Sequence, residues 1–323
     1  MFGRAFDGPG GLCYNRRNMN GLFASLVGLP KIGEILSLAA ALIWALAVVL
    51  FRIVGDRVDP LGINFYKNAL ALVLFGASMA VFGESPSAPL PGTGAAVFVL
   101  SGVLGIALSD WLFLTALVRL GAELTAIVDC AYSPFVIGLS FLFLGERMSG
   151  LQTVGVVLIV AAVLMITQKK SDARLSRRDL VSGVGLGVLA MLLTAAGIVM
   201  VKPMLPKVSL LWACTARQVG GSAGTGLLLA FHPRRREILA PLRAGGGRGL
   251  LPLTAILGAY ISPMFWTAGM TYTQASIASA LNQLNTIFIF VLAAVILKEK
   301  VTPLKLAAVA LAFGGAVLVS ASF

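Results

Sequence analysis

GLLPLTAILGAYISPMFWTAGMTYTQASIASALNQLNTIFIFVLAAVIL, from Gly249 to Leu297, decides the fold of this chain. Arg248 and Lys298 bound it, and no Asp, Glu, Lys or Arg lies between them. As one helix the run would be about 70 Å long, at about 1.5 Å per residue. The hydrocarbon core of a bilayer is only about 30 Å thick. The run must therefore fold back on itself, and Thr271-Tyr272-Thr273-Gln274 is the one polar cluster suited to the turn. Two apolar helices joined by a short turn are what a lipid bilayer requires of a chain.

Composition extends that reading to the whole molecule. Of 323 residues, 58% are hydrophobic and 12% are charged. A soluble domain carries about 25% charged residues. The chain therefore reads as an all-α membrane protein. The net charge of +12 would suggest nucleic acid on a soluble protein. Here it is the Lys and Arg excess that cytoplasmic loops retain, and nucleic acid is set aside as a partner. Cys13, Cys130 and Cys214 have no metal or redox spacing, and the single histidine, His232, precedes Pro233 in a basic loop. No cofactor, no metal and no hydrolytic centre is expected, so the chain is not read as an enzyme.

Ten spans follow from the apolar runs: 34–52, 61–82, 94–117, 122–144, 150–167, 180–201, 208–231, 249–270, 274–297 and 303–320. Asp59-Pro60 opens the second, and Thr302-Pro303 opens the tenth, where proline's missing N–H costs little. Residues 1–33 read as a polar tail, with Met19 as an alternative start. The basic segment 168–179 separates residues 34–167 from 180–321.

Those two halves are related. A shift of 153 residues lays Leu144-Gly145-Glu146-Arg147 on Leu297-Lys298-Glu299-Lys300, Asp129 on Asn282 and Tyr132 on Asn285. A shift of about 150 lays Arg52 on Lys202 and Lys67 on Arg217. Five spans per repeat is an odd number, so sequential repeats cross the membrane in opposite senses. Inverted repeats are a transporter signature, with the substrate site near the midplane.

Residues 126–134, the turn Phe143 to Arg147 and the small-residue stretch 155–166 resemble the EamA module of the drug/metabolite transporter superfamily. The second copy is 275–284, Leu297 to Lys300 and 307–319, and Trp44 in the first span also fits. The resemblance implies ten helices, a central cavity, and secondary transport of small metabolites, often export. Lys67 stands where the family often has arginine, and 35–51 lacks the proton-coupling acid of the small multidrug branch.

Polar residues inside the spans need a reason, because a central charge costs about 2.5–3.5 kcal/mol on insertion scales. Asp110 and Asp129 fit a substrate ammonium or a proton, or else a buried pair with Lys67 or Arg217. Those two cations fit either an anion contact or a structural tie. Asn282 and Asn285 share a helix face, and with Gln283 they face either a wet cavity or a neighbouring helix. Trp44, Trp111, Tyr132 and Trp266 are the aromatic candidates for the cavity wall. Glu146 and Glu299 are expected to satisfy the backbone of the short helix that follows each. Gly183/Gly187 and Gly220/Gly224 have the spacing of close helix contacts.

Lys169, Lys170, Arg174, Arg177, Arg178, Arg234, Arg235, Arg236, Arg243 and Arg248 all follow odd-numbered spans. The positive-inside rule then puts both termini outside the cytoplasm. The expected function is secondary transport of amino acids or similar amphiphilic metabolites by alternating access, in a bacterial cytoplasmic membrane. The expected partners are a small-molecule substrate, the lipid bilayer and a coupling ion such as the proton, with a monomer or homodimer as the assembly. The alternative is a lipid-linked carrier flippase or an accessory membrane subunit.

Overall fold

A computed structural model describes residues 32–85, 87, 93–144, 150–167, 176–243, 249–272, 281–282, 284–299 and 301–320. Of the turn expected at 271–274, Thr271 and Tyr272 are still helical and 273–274 lie outside these residues, as do the acid Glu146 and the amide Gln283. Among the described residues every regular element is a helix. In order they are α1 (Ile32–Val54), α2 (Pro60–Phe82), α3 (Gly94–Leu120), α4 (Ala122–Asp129), α5 (Tyr132–Leu144) and α6 (Gly150–Thr167). Then come α7 (Arg177–Val201), α8 (Leu210–Phe231) and α9 (Arg235–Arg243). Leu250–Ala255 continues through Ile256–Ile261 into Ser262–Tyr272 as α10, followed by α11 (Leu284–Leu297) and α12 (Pro303–Ser320). Among the described residues six stretches are long and apolar enough to cross a bilayer: α1, α2, α3, the α4–α5 pair, α7 and Leu250–Gly269 of α10. Shorter apolar helices include Leu284–Leu297 and Pro303–Gly315.

Local chemistry sets the ends. Asp59 Oδ1 accepts the Leu61 N–H at 2.8 Å, Pro60 opens α2, and Gly83 ends it at φ 66°. Span four, expected as one helix, is broken. The chain turns at Cys130–Ala131, because Pro134 has no N–H to offer the Cys130 carbonyl and its ring crowds that position.

The repeat is visible in the backbone. A π-helical segment at Val103–Leu108 of α3 recurs at Ile256–Ile261 of α10, displaced by the same 153 residues as the sequence register. Just beyond each, a serine reaches the other repeat. Ser109 Oγ donates to the Ala190 carbonyl of α7 at 2.7 Å, and Ser262 Oγ donates to the Ala40 carbonyl of α1 at 3.2 Å. The helix contacts follow suit. α3 packs on α7 as α10 packs on α1, α3 on α8 as α10 on α2, and α6 pairs with α12.

Close approach depends on missing side chains. A Cβ at Gly102 would lie 1.8 Å from the Arg217 carbonyl, and one at Gly220 would lie 1.9 Å from that of Val99. Gly224, Gly183 and Gly187 likewise sit against Ala107, Leu120 and Val128, so the four spaced glycines are packing contacts.

Two expectations are corrected. The basic segment after span seven contains α9 rather than being only loop. Ile238 is buried against Leu61 and Leu229, with Leu239 beside them, while Arg234, Arg235 and Arg236 stay exposed. Glu299 does not satisfy the helix that follows it. Its carboxylate accepts the N–H groups of Ala122 and Glu123 at 3.0 and 3.4 Å, capping α4 of the other repeat. Glu123 is in turn ion-paired with Lys305 at the start of α12.

Candidate functional site

The site begins on one face of α2. Asn64, Lys67 and Asn68 stand at i, i+3 and i+4 and are all buried. Lys67 Nζ donates to Asp110 Oδ2 at 2.5 Å and to Asn68 Oδ1 at 3.0 Å. Asn68 Nδ2 donates to Asn64 Oδ1 and Thr225 Oγ1 at 3.1 and 3.0 Å. Gln218 Nε2 donates back to Asn68 Oδ1 at 3.2 Å. Asn64 Nδ2 donates to the Ala107 carbonyl at 2.8 Å, in the π-helical segment, where a π turn leaves carbonyl groups for side chains. The network satisfies its own polar groups, which is what makes a buried polar cluster tolerable.

Lys67, Asp110 and Gln218 of this network line a cavity of about 200 Å³, smaller than the about 300–1,000 Å³ of drug-sized sites. Elements of both repeats line it. Trp44 of α1 and Trp266 of α10 contribute indoles, and Phe113 lies 5.8 Å from Trp44, centroid to centroid. Asp129, at the end of α4, lines it together with Tyr132 at the start of α5. Asn285 Nδ2 donates to Asp129 Oδ2 at 3.1 Å, and Asn282 is also on the wall. The break between α4 and α5 therefore puts Asp129 and Tyr132 at the cavity, Asp129 beside Asn285, with the repeat-related Asn282 also on its wall.

The two repeat-related cations differ in their partners. Lys67 is neutralised by Asp110. Arg217 Nε donates to Ser101 Oγ at 3.0 Å, and Ser101 Oγ donates to the Gly197 carbonyl at 2.6 Å. Among the described residues no carboxylate forms an ion pair with Arg217. Its Nη2 lies near Gly105, where a Cβ would approach it at 3.4 Å, and the guanidinium lines the cavity. Among the described residues the cavity thus offers one cation outside any ion pair, Arg217, and one carboxylate outside any ion pair, Asp129.

Of the residues singled out by sequence, Trp44, Lys67, Asp110, Asp129, Tyr132, Arg217, Trp266, Asn282 and Asn285 line this cavity. Trp111 does not. It faces away and packs with Leu61, Leu229 and Ile238 on another flank. Sequence reading missed Asn64, Asn68, Gln218 and Thr225, although an Asn/Lys/Asn face inside an apolar span was the signal for the first two. Among the described residues no three His, Cys, Asp or Glu side chains group as a metal site.

Two segments of the chain, residues 31–168 and 181–321, each match the model of the EamA-like transporter family. No curated protein matches the sequence. A solved crystal structure, described only as that of a protein, shares the fold at 16% identity with a TM-score of 0.62. The match covers 88% of this chain and 94% of that one.

Proposed function

Since the chain belongs to the EamA-like transporter family, whose members are membrane transporters rather than enzymes, we propose that it exports a small zwitterionic metabolite of amino-acid size across a bacterial cytoplasmic membrane. Two inverted five-helix repeats, divided at 168–179, would alternate access to the cavity between them, with both termini outside and a proton as coupling ion. A monomer or homodimer serves equally, because the cavity lies within one chain.

One observation carries the substrate reading: the wall holds Arg217 and Asp129, neither of them in an ion pair among the described residues. An uncompensated buried charge is costly. A ligand bringing a carboxylate to Arg217 and an ammonium to Asp129 and Asn285 satisfies both, and the indoles of Trp44 and Trp266 take its apolar part. Lys67, already paired with Asp110, is the structural member of the cation pair.

The test is counterflow in proteoliposomes preloaded with an unlabelled amino-acid mixture, with the labelled mixture outside. The wild-type chain is expected to accumulate label. Asp129→Asn is expected to lower apparent affinity about 10- to 100-fold, the loss of one charge-assisted contact of about 1.5–3 kcal/mol. Unchanged counterflow in Asp129→Asn removes Asp129 from the site, and no counterflow in the wild-type chain removes amino acids as substrates.

A further inference from the structure

Trp111 and α9 belong to a second feature, on the opposite flank of the α3–α8 contact. An apolar groove of about 340 Å³ runs past Leu61, Leu108, Trp111, Gly224 and Leu228. It ends at Phe231, His232 and Pro233. The same three residues begin a second hollow, whose wall continues through Arg234, Arg235, Arg236 and Glu237. Groove and hollow are therefore one surface, apolar along its length and basic at its mouth.

The mouth is held in place. Arg235 Nη1 donates to the Ala230 carbonyl at 2.7 Å, and the Arg234 N–H donates to His232 Nδ1 at 3.2 Å. Ile238, buried under Leu61 and Leu229, pins α9 against the start of α2. Among the described residues no carboxylate forms an ion pair with the three exposed arginines, and Glu237 is the one acid at the mouth. Leu227 and Phe231, 61% and 81% exposed, leave apolar surface beside that charge.

We propose that this surface binds one anionic phospholipid, its phosphate at Arg234–Arg236 and an acyl chain along the groove past Trp111. Charge complementarity selects the headgroup, since clustered basic residues at a membrane boundary attract anionic lipid. The groove selects a lipid over a soluble anion, which has no use for an apolar trough. Trp111 suits the boundary, its indole being apolar with one polar edge. The site lies on the flank away from the transport cavity and goes beyond the transport reading.

The test uses the full chain in detergent micelles. Native mass spectrometry with an equimolar mixture of palmitoyl-oleoyl phosphatidylglycerol and phosphatidylcholine reads the retained lipid. One phosphatidylglycerol is expected, favoured about tenfold over phosphatidylcholine. Replacing Arg234, Arg235 and Arg236 together by Gln is expected to bring the two lipids to parity. Replacing all three by Lys keeps the charge and most of the preference, which separates loss of binding from loss of fold. Phosphatidylglycerol brominated in its acyl chains is expected to quench tryptophan fluorescence, less so in Trp111→Phe. Four results overturn the proposal. They are equal retention of both lipids by the wild-type chain, an undiminished preference in the Gln variant, quenching unaffected by Trp111→Phe, and displacement of the lipid by inorganic phosphate or by a second copy of the chain.

Discussion

Lys67 and Arg217 occupy equivalent positions of the two repeats and have diverged in what surrounds them. The repeat register that pairs Asp129 with Asn282 puts Pro263 opposite Asp110, so the second repeat has no acid at that position. Lys67 is ion-paired with Asp110 and bonded to Asn68, whereas Arg217 bonds Ser101 and forms no ion pair among the described residues. The two cations should then respond differently to neutralisation. Lys67→Gln strands Asp110 beside buried amides and is expected to cost about 3 kcal/mol. That is the low end for breaking a buried pair, because Asp110 faces the cavity. Lys67→Gln with Asp110→Asn is expected to recover part of that loss. Arg217→Gln removes a charge that forms no ion pair among the described residues, and stability is expected to stay within about 1 kcal/mol of wild type while substrate affinity falls. Chemical denaturation in detergent separates the cases, and equal destabilisation by both single variants contradicts the assignment. The polar residues themselves were legible, since an ionisable group inside an apolar run announces itself. Their partners were not. Whether Asp110 served a substrate or Lys67 depended on how α2 and α3 are juxtaposed, which no local pattern encodes. Trp111 shows the same limit, because it looked like its neighbour Asp110 in sequence yet lines a different hollow, one step of about 100° around α3.

At the scale of elements, apolar length and turn chemistry carry far. The ends of α6 and α12 coincide with the expected spans, and Asp59-Pro60 caps α2 as its sequence indicates. The break between α4 and α5 was signalled by Pro134 but hidden by the unbroken hydrophobicity on either side. Helix α9 was hidden by its arginines, because only docking on α2 gives Ile238 something to bury against. The cap on α4 comes from Glu299, far along the chain, and so could not be read locally. Two consequences are testable. Glu299→Ala is expected to cost about 1 kcal/mol, the loss of a helix cap, and to speed hydrogen exchange at Ala122 and Glu123. Unchanged protection at those amides would remove the cap from the account. Gly220→Leu would drive its side chain into the Val99 carbonyl and is expected to abolish assembly of α3 on α8. A stably folded Gly220→Leu chain would show that this contact is looser than drawn.

Across the whole molecule, the same helix pairs recur when the repeats are exchanged, and the chemistry of the cavity does not. The scaffold repeats down to the π-helical segments at Val103–Leu108 and Ile256–Ile261 and the serine after each, while Asp110 and Asp129 both belong to the first repeat. Under the proposed transport reading, a symmetric scaffold would supply the two exchangeable conformations that alternating access requires. Under the same reading, an asymmetric lining would orient the substrate one way. Cys214, on the cavity wall, reports directly on the exchange. The decisive measurement is labelling of Cys214 by a membrane-impermeant maleimide in right-side-out and inside-out vesicles, with Cys13→Ser and Cys130→Ser removing the other thiols. Alternating access gives labelling from both faces, slowed by a substrate that fills the cavity. Labelling from one face alone, or from neither, contradicts it.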